Sequence, residues 1–149
     1  LGAQIIGLFQ IEDNPVLAFF IPLIAAMGGN VGVQSSAIIV QALATKNMGL
    51  DNWSKRFIKE FSVALINGLI CCFLLFFVCL LLYPEPQLPI TVSLSLLTVM
   101  VFAALFGTFI PLILNSYKID PALATGPFIT TMNDVIGLFI YFSIAEWIL

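Results

Sequence analysis

The amino-acid sequence predicts an all-α integral membrane protein, a bundle of apolar helices that crosses the bilayer several times. Three observations predict it. Hydrophobic residues fill 61% of the 149 positions and charged residues only 9%, against roughly 45–50% and about 25% in soluble domains. The mean hydropathy is +1.13. Eight acids and five bases are too few to cover the surface of a soluble domain of this length, so the remaining surface faces lipid. The apolar residues fall in stretches that reach the roughly 20 residues needed to cross a bilayer.

The first stretch, 1–10, is too short to cross and runs into Gln10, Ile11, Glu12 and Asp13. It lacks the basic n-region and small-residue cleavage site of a signal peptide. It reads as the tail of a truncated span or as an interfacial segment, and the truncated span is the better reading. Four full-length spans follow at roughly 16–44, 60–83, 89–115 and 121–149, each long enough to cross with tilt. Asn14-Pro15 opens the first and Asp51-Asn52-Trp53 introduces the second, which Tyr83-Pro84-Glu85-Pro86 ends. Asp120-Pro121 reads as an N-cap and first-turn proline for the last. No soluble regulatory domain is expected within 1–149.

All five bases, Lys46, Lys55, Arg56, Lys59 and Lys118, fall in or beside two links, whereas the opposite links carry Glu12, Asp13 and Glu85. The positive-inside rule therefore places 45–59 and 115–120 in the cytoplasm and the C-terminal end of the last helix outside. Trp53, Tyr83, Tyr117 and Trp147 lie where an interfacial aromatic belt is expected. No basic cluster suggests nucleic acid. Cys71, Cys72 and Cys79 share one apolar run in a chain without histidine, so neither a disulfide framework nor a Cys/His zinc site is expected, and they read as small packing residues.

Most charges lie near span ends, which makes Asp134 the outlier. It stands thirteen residues beyond Pro121, about 20 Å along a continuous helix and so near the midplane. A carboxylate there costs on the order of 2.5–3.5 kcal/mol on insertion scales, and it faces protein or water rather than lipid. A protonated aspartic acid gluing two helices is the bland alternative to a functional site.

A second polar concentration runs from Met27 to Ser36. Asn30, Gln34 and Gln41 share one helical face, and Gly28, Gly32 and Ser36 form a small-xxx-small ladder on another, a pattern more often a packing face than a site. Counted from Thr45, Asn30 lies about 22 Å deep, close to Asp134, while Gln34 and Thr130 match at about 17 Å and about 14 Å. Pro22 and Pro127 each free a carbonyl four residues earlier, at Ala18 and Leu123, which would either kink a helix or line a cavity. Pro111, outside the polar stripes, weakens that cue.

Gly28-Gly29-Asn30-x-Gly32-x-Gln34, Ala42-Leu43-Ala44-Thr45, Asp51-x-Trp53, Asp120-Pro121-Ala122-Leu123, Asn133-Asp134-Val135-x-Gly137 and Ile140-Tyr141-Phe142-Ser143 occur in this order along essentially the whole chain. The pattern resembles the membrane domain of the MgtE-type magnesium channels and transporters. The resemblance implies a five-transmembrane-helix bundle, its first helix truncated at 1–10, that forms a homodimeric pore lined by 16–44 and 121–149. It maps a cation-binding aspartate onto Asp134, a backbone carbonyl one turn earlier onto Thr130, and the polar glycine-rich segment onto Asn30 and Gln34. It implies Mg2+ as the transported ion, with Mn2+ or Co2+ as substitutes, and residence in the plasma membrane, the inner membrane of a bacterium. Relatives usually carry a basic residue near Glu146 and long regulatory domains before the first helix, and these features are departures here.

Magnesium sheds water reluctantly, so few carboxylates with several amide and carbonyl oxygens suit it as a hydrated ion. Two copies of Asp134 near a dimer axis would supply two negative charges. The alternative is a sodium- or proton-coupled divalent-cation exchanger using the same site. An intramembrane aspartyl protease needs paired carboxylates sharing a proton, and each chain offers one midplane acid. No enzyme is expected. A purely structural subunit remains the other alternative.

Overall fold

The computed structural model describes residues 4, 7, 9, 14–45, 53–124 and 126–149. The partial span expected at 1–10 falls largely outside the described residues, as do Glu12, Asp13, Lys46, Asp51 and Asn52. The described residues form four long helices: α1 (Ile21–Ala44), α2 (Trp53–Leu82), α3 (Gln87–Ser116) and α4 (Pro127–Ile148). Short 3-10 turns, Pro15–Phe20 and Pro121–Ala124, precede α1 and α4. All four helices contain stretches long and apolar enough to cross a membrane.

Each start is written in local chemistry. Pro22 and Pro127 both occupy the first turn of their helices, where a missing N–H leaves no bond unmade. The carbonyl of Ala18 accepts the backbone N–H of Ile21. The stretch 121–149 is divided rather than continuous, because Gly126 adopts φ 60 and ψ −126 between the 3-10 turn and α4, a conformation that L side chains resist. Asp120 caps the 3-10 turn instead of a long helix, its Oδ1 accepting the Ala122 N–H at 2.9 Å. At the end of α3, Lys118 takes φ 60. The Ile119 and Lys118 N–H groups bond back to Leu114 and Asn115, the paired bonds of a Schellman cap.

The helices alternate in direction. Phe20 at the start of α1 meets Tyr83 just past the end of α2, with ring centroids 6.1 Å apart. The Tyr141 hydroxyl near the end of α4 donates to the Leu17 carbonyl at 2.9 Å. Lys55, Lys59 and Lys118 therefore share one end of the bundle, with Glu85 and Glu146 at the other.

Helix α3 is central and packs on all three other helices, whereas α2 packs chiefly on α3. Half of the apolar window of α3 is buried against 11% of that of α2, so α2 presents most of its Phe, Leu and Ile side chains outward. The core gathers Leu17, Ile24, Val92, Leu96, Tyr141 and Phe142, where the starts of α1 and α3 meet the end of α4. Phe9 joins it, 5.5 Å from Phe142 and 5.8 Å from Phe139 between centroids. Hydroxyls in α3 return to the carbonyl one turn back, as Thr91 does to Gln87, Ser95 to Thr91 and Thr108 to Ala104, which removes polar groups from an apolar setting.

Candidate functional site

The glycine-rich segment of α1 sets how closely the helices approach. A methyl group on Gly28 would come within 2.9 Å of Val99 Cγ1, and one on Gly137 of α4 within 3.1 Å of the same atom. Val99 is thus wedged between α1 and α4. It lies twelve residues from the start of α3 and seventeen from its end, about 18 Å along a helix of about 45 Å, so the junction is near mid-bundle. One turn on, a methyl group on Gly107 would strike the Gly32 carbonyl oxygen, and one on Gly32 the Asn133 carboxamide. The Gly28, Gly32 and Ser36 ladder is a buried packing face.

On this platform α4 lays two of the expected site residues against α1. A methyl group at Gly29 would sit 3.7 Å from Thr130 Cγ2 and 3.8 Å from Asp134 Oδ1, so the carboxylate lies over a glycine that offers it backbone and no side chain. Asp134 and Thr130 are both half-buried. The Thr130 hydroxyl turns back to the Gly126 and Pro127 carbonyls at 3.3 and 3.1 Å. Thr130 meets Gly29 rather than the level of Gln34, because α4 starts only at Pro127 after a separate 3-10 turn, and counting from Pro121 as one continuous helix understates its depth.

Asn30 and Gln34 are exposed on α1. At 100° per residue they point about 100° and about 140° away from the Gly29 contact. The structure therefore brings Asp134 and Thr130 together and sets Asn30 and Gln34 on the adjoining exposed stripe, which continues to Gln41. Gln34 also lines a small cavity toward α2, with Glu60 and Asn67.

Asn133 is the residue that sequence reasoning left without a role. It is 1% exposed, its Nδ2 donates to the Gly28 carbonyl at 3.4 Å, and its Oδ1 is buried with no partner among the described residues. That bond ties α4 to α1 one residue before Asp134. The available signal was an amide directly preceding the acid, with glycines facing it. Among the described residues, no three of His, Cys, Asp and Glu gather as a metal cluster.

Four membrane-length apolar helices define a polytopic α-helical membrane protein, with a half-buried carboxylate at mid-bundle. The chain belongs to the MgtE family: the family model, described as a divalent cation transporter, matches residues 21–144. The family is one of transport proteins, not enzymes. The chain is 35% identical over 147 residues to the magnesium transporter MgtE of Bacillus subtilis, covering 97% of this chain and 33% of that protein. It is 39% identical over 140 residues to the magnesium transporter MgtE of Thermus thermophilus, covering 93% and 31%. The corresponding protein of Enterococcus faecalis is 32% identical over 136 residues, covering 91% and 30%. The chain thus spans about a third of the length of these relatives.

Proposed function

We propose that this chain is the ion-conducting part of a magnesium transporter, and that two copies form one pore lined by α1 and α4. The observation that carries the reading is the lodging of Asp134 and Thr130 against bare Gly29 at mid-bundle, beside a stripe of α1 that exposes Asn30, Gln34 and Gln41. Such amides are not stable against lipid tails, so water or a second copy covers them. In this reading two Asp134 carboxylates face one hydrated Mg2+. The Thr130 carbonyl and the Asn30 and Gln34 amides hold its water, with Mn2+ or Co2+ as substitutes. Selectivity follows from pore width and the geometry of the water-binding oxygens. The reading completes the bundle with a fifth helix that includes 1–10, in the plasma membrane, with 45–59 and 115–120 cytoplasmic by the positive-inside rule.

The test is Mg2+ uptake into proteoliposomes by the purified chain and its Asp134→Ala and Asp134→Asn variants. Loss of one carboxylate per subunit removes the only fixed charge proposed at the ion, and uptake is expected to fall at least about tenfold, equivalent to about 1.4 kcal/mol. Unchanged uptake in correctly folded Asp134→Ala would sink the assignment.

A further inference from the structure

Near Asp134, α1 and α4 both present bare backbone to the same side chain, Val99 of α3. It is 1% exposed. A methyl group on Gly28 would reach its Cγ1 at 2.9 Å, and one on Gly137 would reach the same atom at 3.1 Å and Cγ2 at 3.9 Å. Gly28 directly precedes Gly29, which lies under the Asp134 carboxylate, and Gly137 follows Asp134 by less than one turn of α4. One isopropyl group is therefore the spacer between the two helices beside the acid. Its neighbours on both sides are backbone, which no rotamer change moves aside, and valine in a helix is itself held near one χ1 rotamer. Across the same junction the bond from Asn133 Nδ2 to the Gly28 carbonyl measures 3.4 Å, longer than the usual range for such bonds. Packing against Val99, rather than that bond, sets the distance between α1 and α4.

We propose that Val99 is a positioning residue that sets ion discrimination at Asp134 without touching the ion, an inference that rests on the pore reading above. Mg2+ demands near-ideal octahedral geometry with oxygens at about 2.0–2.1 Å and keeps several waters, whereas Ca2+ takes roughly 6–8 oxygens at about 2.3–2.6 Å in flexible geometry. The two ions differ by a few tenths of an ångström per contact, so telling them apart requires a carboxylate held to within about 0.5 Å. Asp134 rides on α4, and the volume of the Val99 side chain fixes where α4 sits against α1. Trimming that side chain leaves a cavity that its surroundings close only in part. Helix α4 then gains slack against α1, and the site accepts the larger and geometrically more permissive ion.

The test is Mg2+ uptake by the purified full chain in proteoliposomes, with increasing Ca2+ as competitor, for Val99→Ala, Val99→Cys and Val99→Thr. The readout is the ratio of the half-inhibiting Ca2+ concentration to the half-saturating Mg2+ concentration, which does not depend on how much protein is folded. In Val99→Ala the ratio is expected to fall at least about tenfold, and in Val99→Cys, the milder loss of bulk should Val99→Ala not fold, at least about threefold. Val99→Thr keeps the shape, and its hydroxyl can return to the Ser95 carbonyl as that of Thr91 does to Gln87, so it holds the original ratio. Val92→Ala, at a buried valine two turns earlier on α3, controls for lost stability and leaves the ratio unchanged. The proposal is overturned if Val99→Ala and Val99→Cys keep the original ratio, or if Val99→Thr or Val92→Ala lowers it as far as Val99→Ala does. Those results are distinct from failure of the pore reading itself, in which Asp134→Ala keeps full uptake.

Discussion

Replacing Gly107 by alanine adds one methyl group at the closest approach of two helices, and the structure says what that group meets. Its neighbours would be the Gly32 carbonyl oxygen, the Gly32 carbonyl carbon at 3.0 Å and the Gly32 Cα at 3.2 Å. All three are backbone atoms in the middle of α1, so no rotamer change relieves the overlap, and α1 must move away from α3. Carbon atoms pack best at about 3.5–4.0 Å, and a gap of roughly 0.5–1 Å elsewhere along the interface forfeits a quarter to a half of each contact. Overpacking of this kind costs about 1–3 kcal/mol, and rigid neighbours put Gly107 at the upper end. Alanine's better helix propensity returns about 0.8–1 kcal/mol. The net is about 2 kcal/mol, roughly a 30-fold loss in the folding equilibrium.

Gly68→Ala is the internal control. Its methyl group would meet chiefly Leu97 Cδ1 at 2.8 Å, the tip of a half-buried side chain that can rotate, so it is expected to be neutral within about 0.5 kcal/mol. SDS unfolding titrations of the two variants in mixed micelles compare them directly. If Gly107→Ala unfolds at the same SDS fraction as Gly68→Ala, backbone contact does not set the crossing of α1 and α3.

Two further outcomes follow from the same coordinates. Gly126 has φ 60 with nothing within 4 Å of an added methyl group, so Gly126→Ala is opposed by backbone strain of about 1–3 kcal/mol rather than by a clash. An SDS titration that shows no loss for Gly126→Ala would mean the 3-10 turn and α4 can join without that conformation. Asn133→Ala removes the tie to the Gly28 carbonyl, a hydrogen bond between membrane helices worth about 0.6–1.7 kcal/mol. It is expected to lower Mg2+ uptake in proteoliposomes more than this modest stability change would, because the tie beside Asp134 is lost. Full uptake in Asn133→Ala would show that Asp134 is held by packing alone.

Sequence by itself determined the class and the outline: the apolar runs and scarce charges required membrane helices, and Asp134 was marked as costly because it lies deep within an apolar span while most other charges lie at span ends. Family membership was also legible, since the glycine, amide and acid motifs keep their order and separations. Helix breaks were less legible. Pro22 and Pro127 read equally well as kinks inside spans, and only the backbone shows them opening helices after separate 3-10 turns, with Gly126 dividing 121–149.

The tertiary structure alone decided which faces meet. Depth along a helix follows from counting residues, but rotation about its axis depends on which neighbour packs where. Counting therefore matched Asn30 to Asp134 in level, while packing put Gly29 under the carboxylate, Asn133 into the Gly28 carbonyl, and Gln34 beside Glu60 and Asn67. The physical reason is that glycine carries no side chain to read. Gly29, Gly32 and Gly107 act by what they leave out, and that space acquires meaning only when another helix fills it.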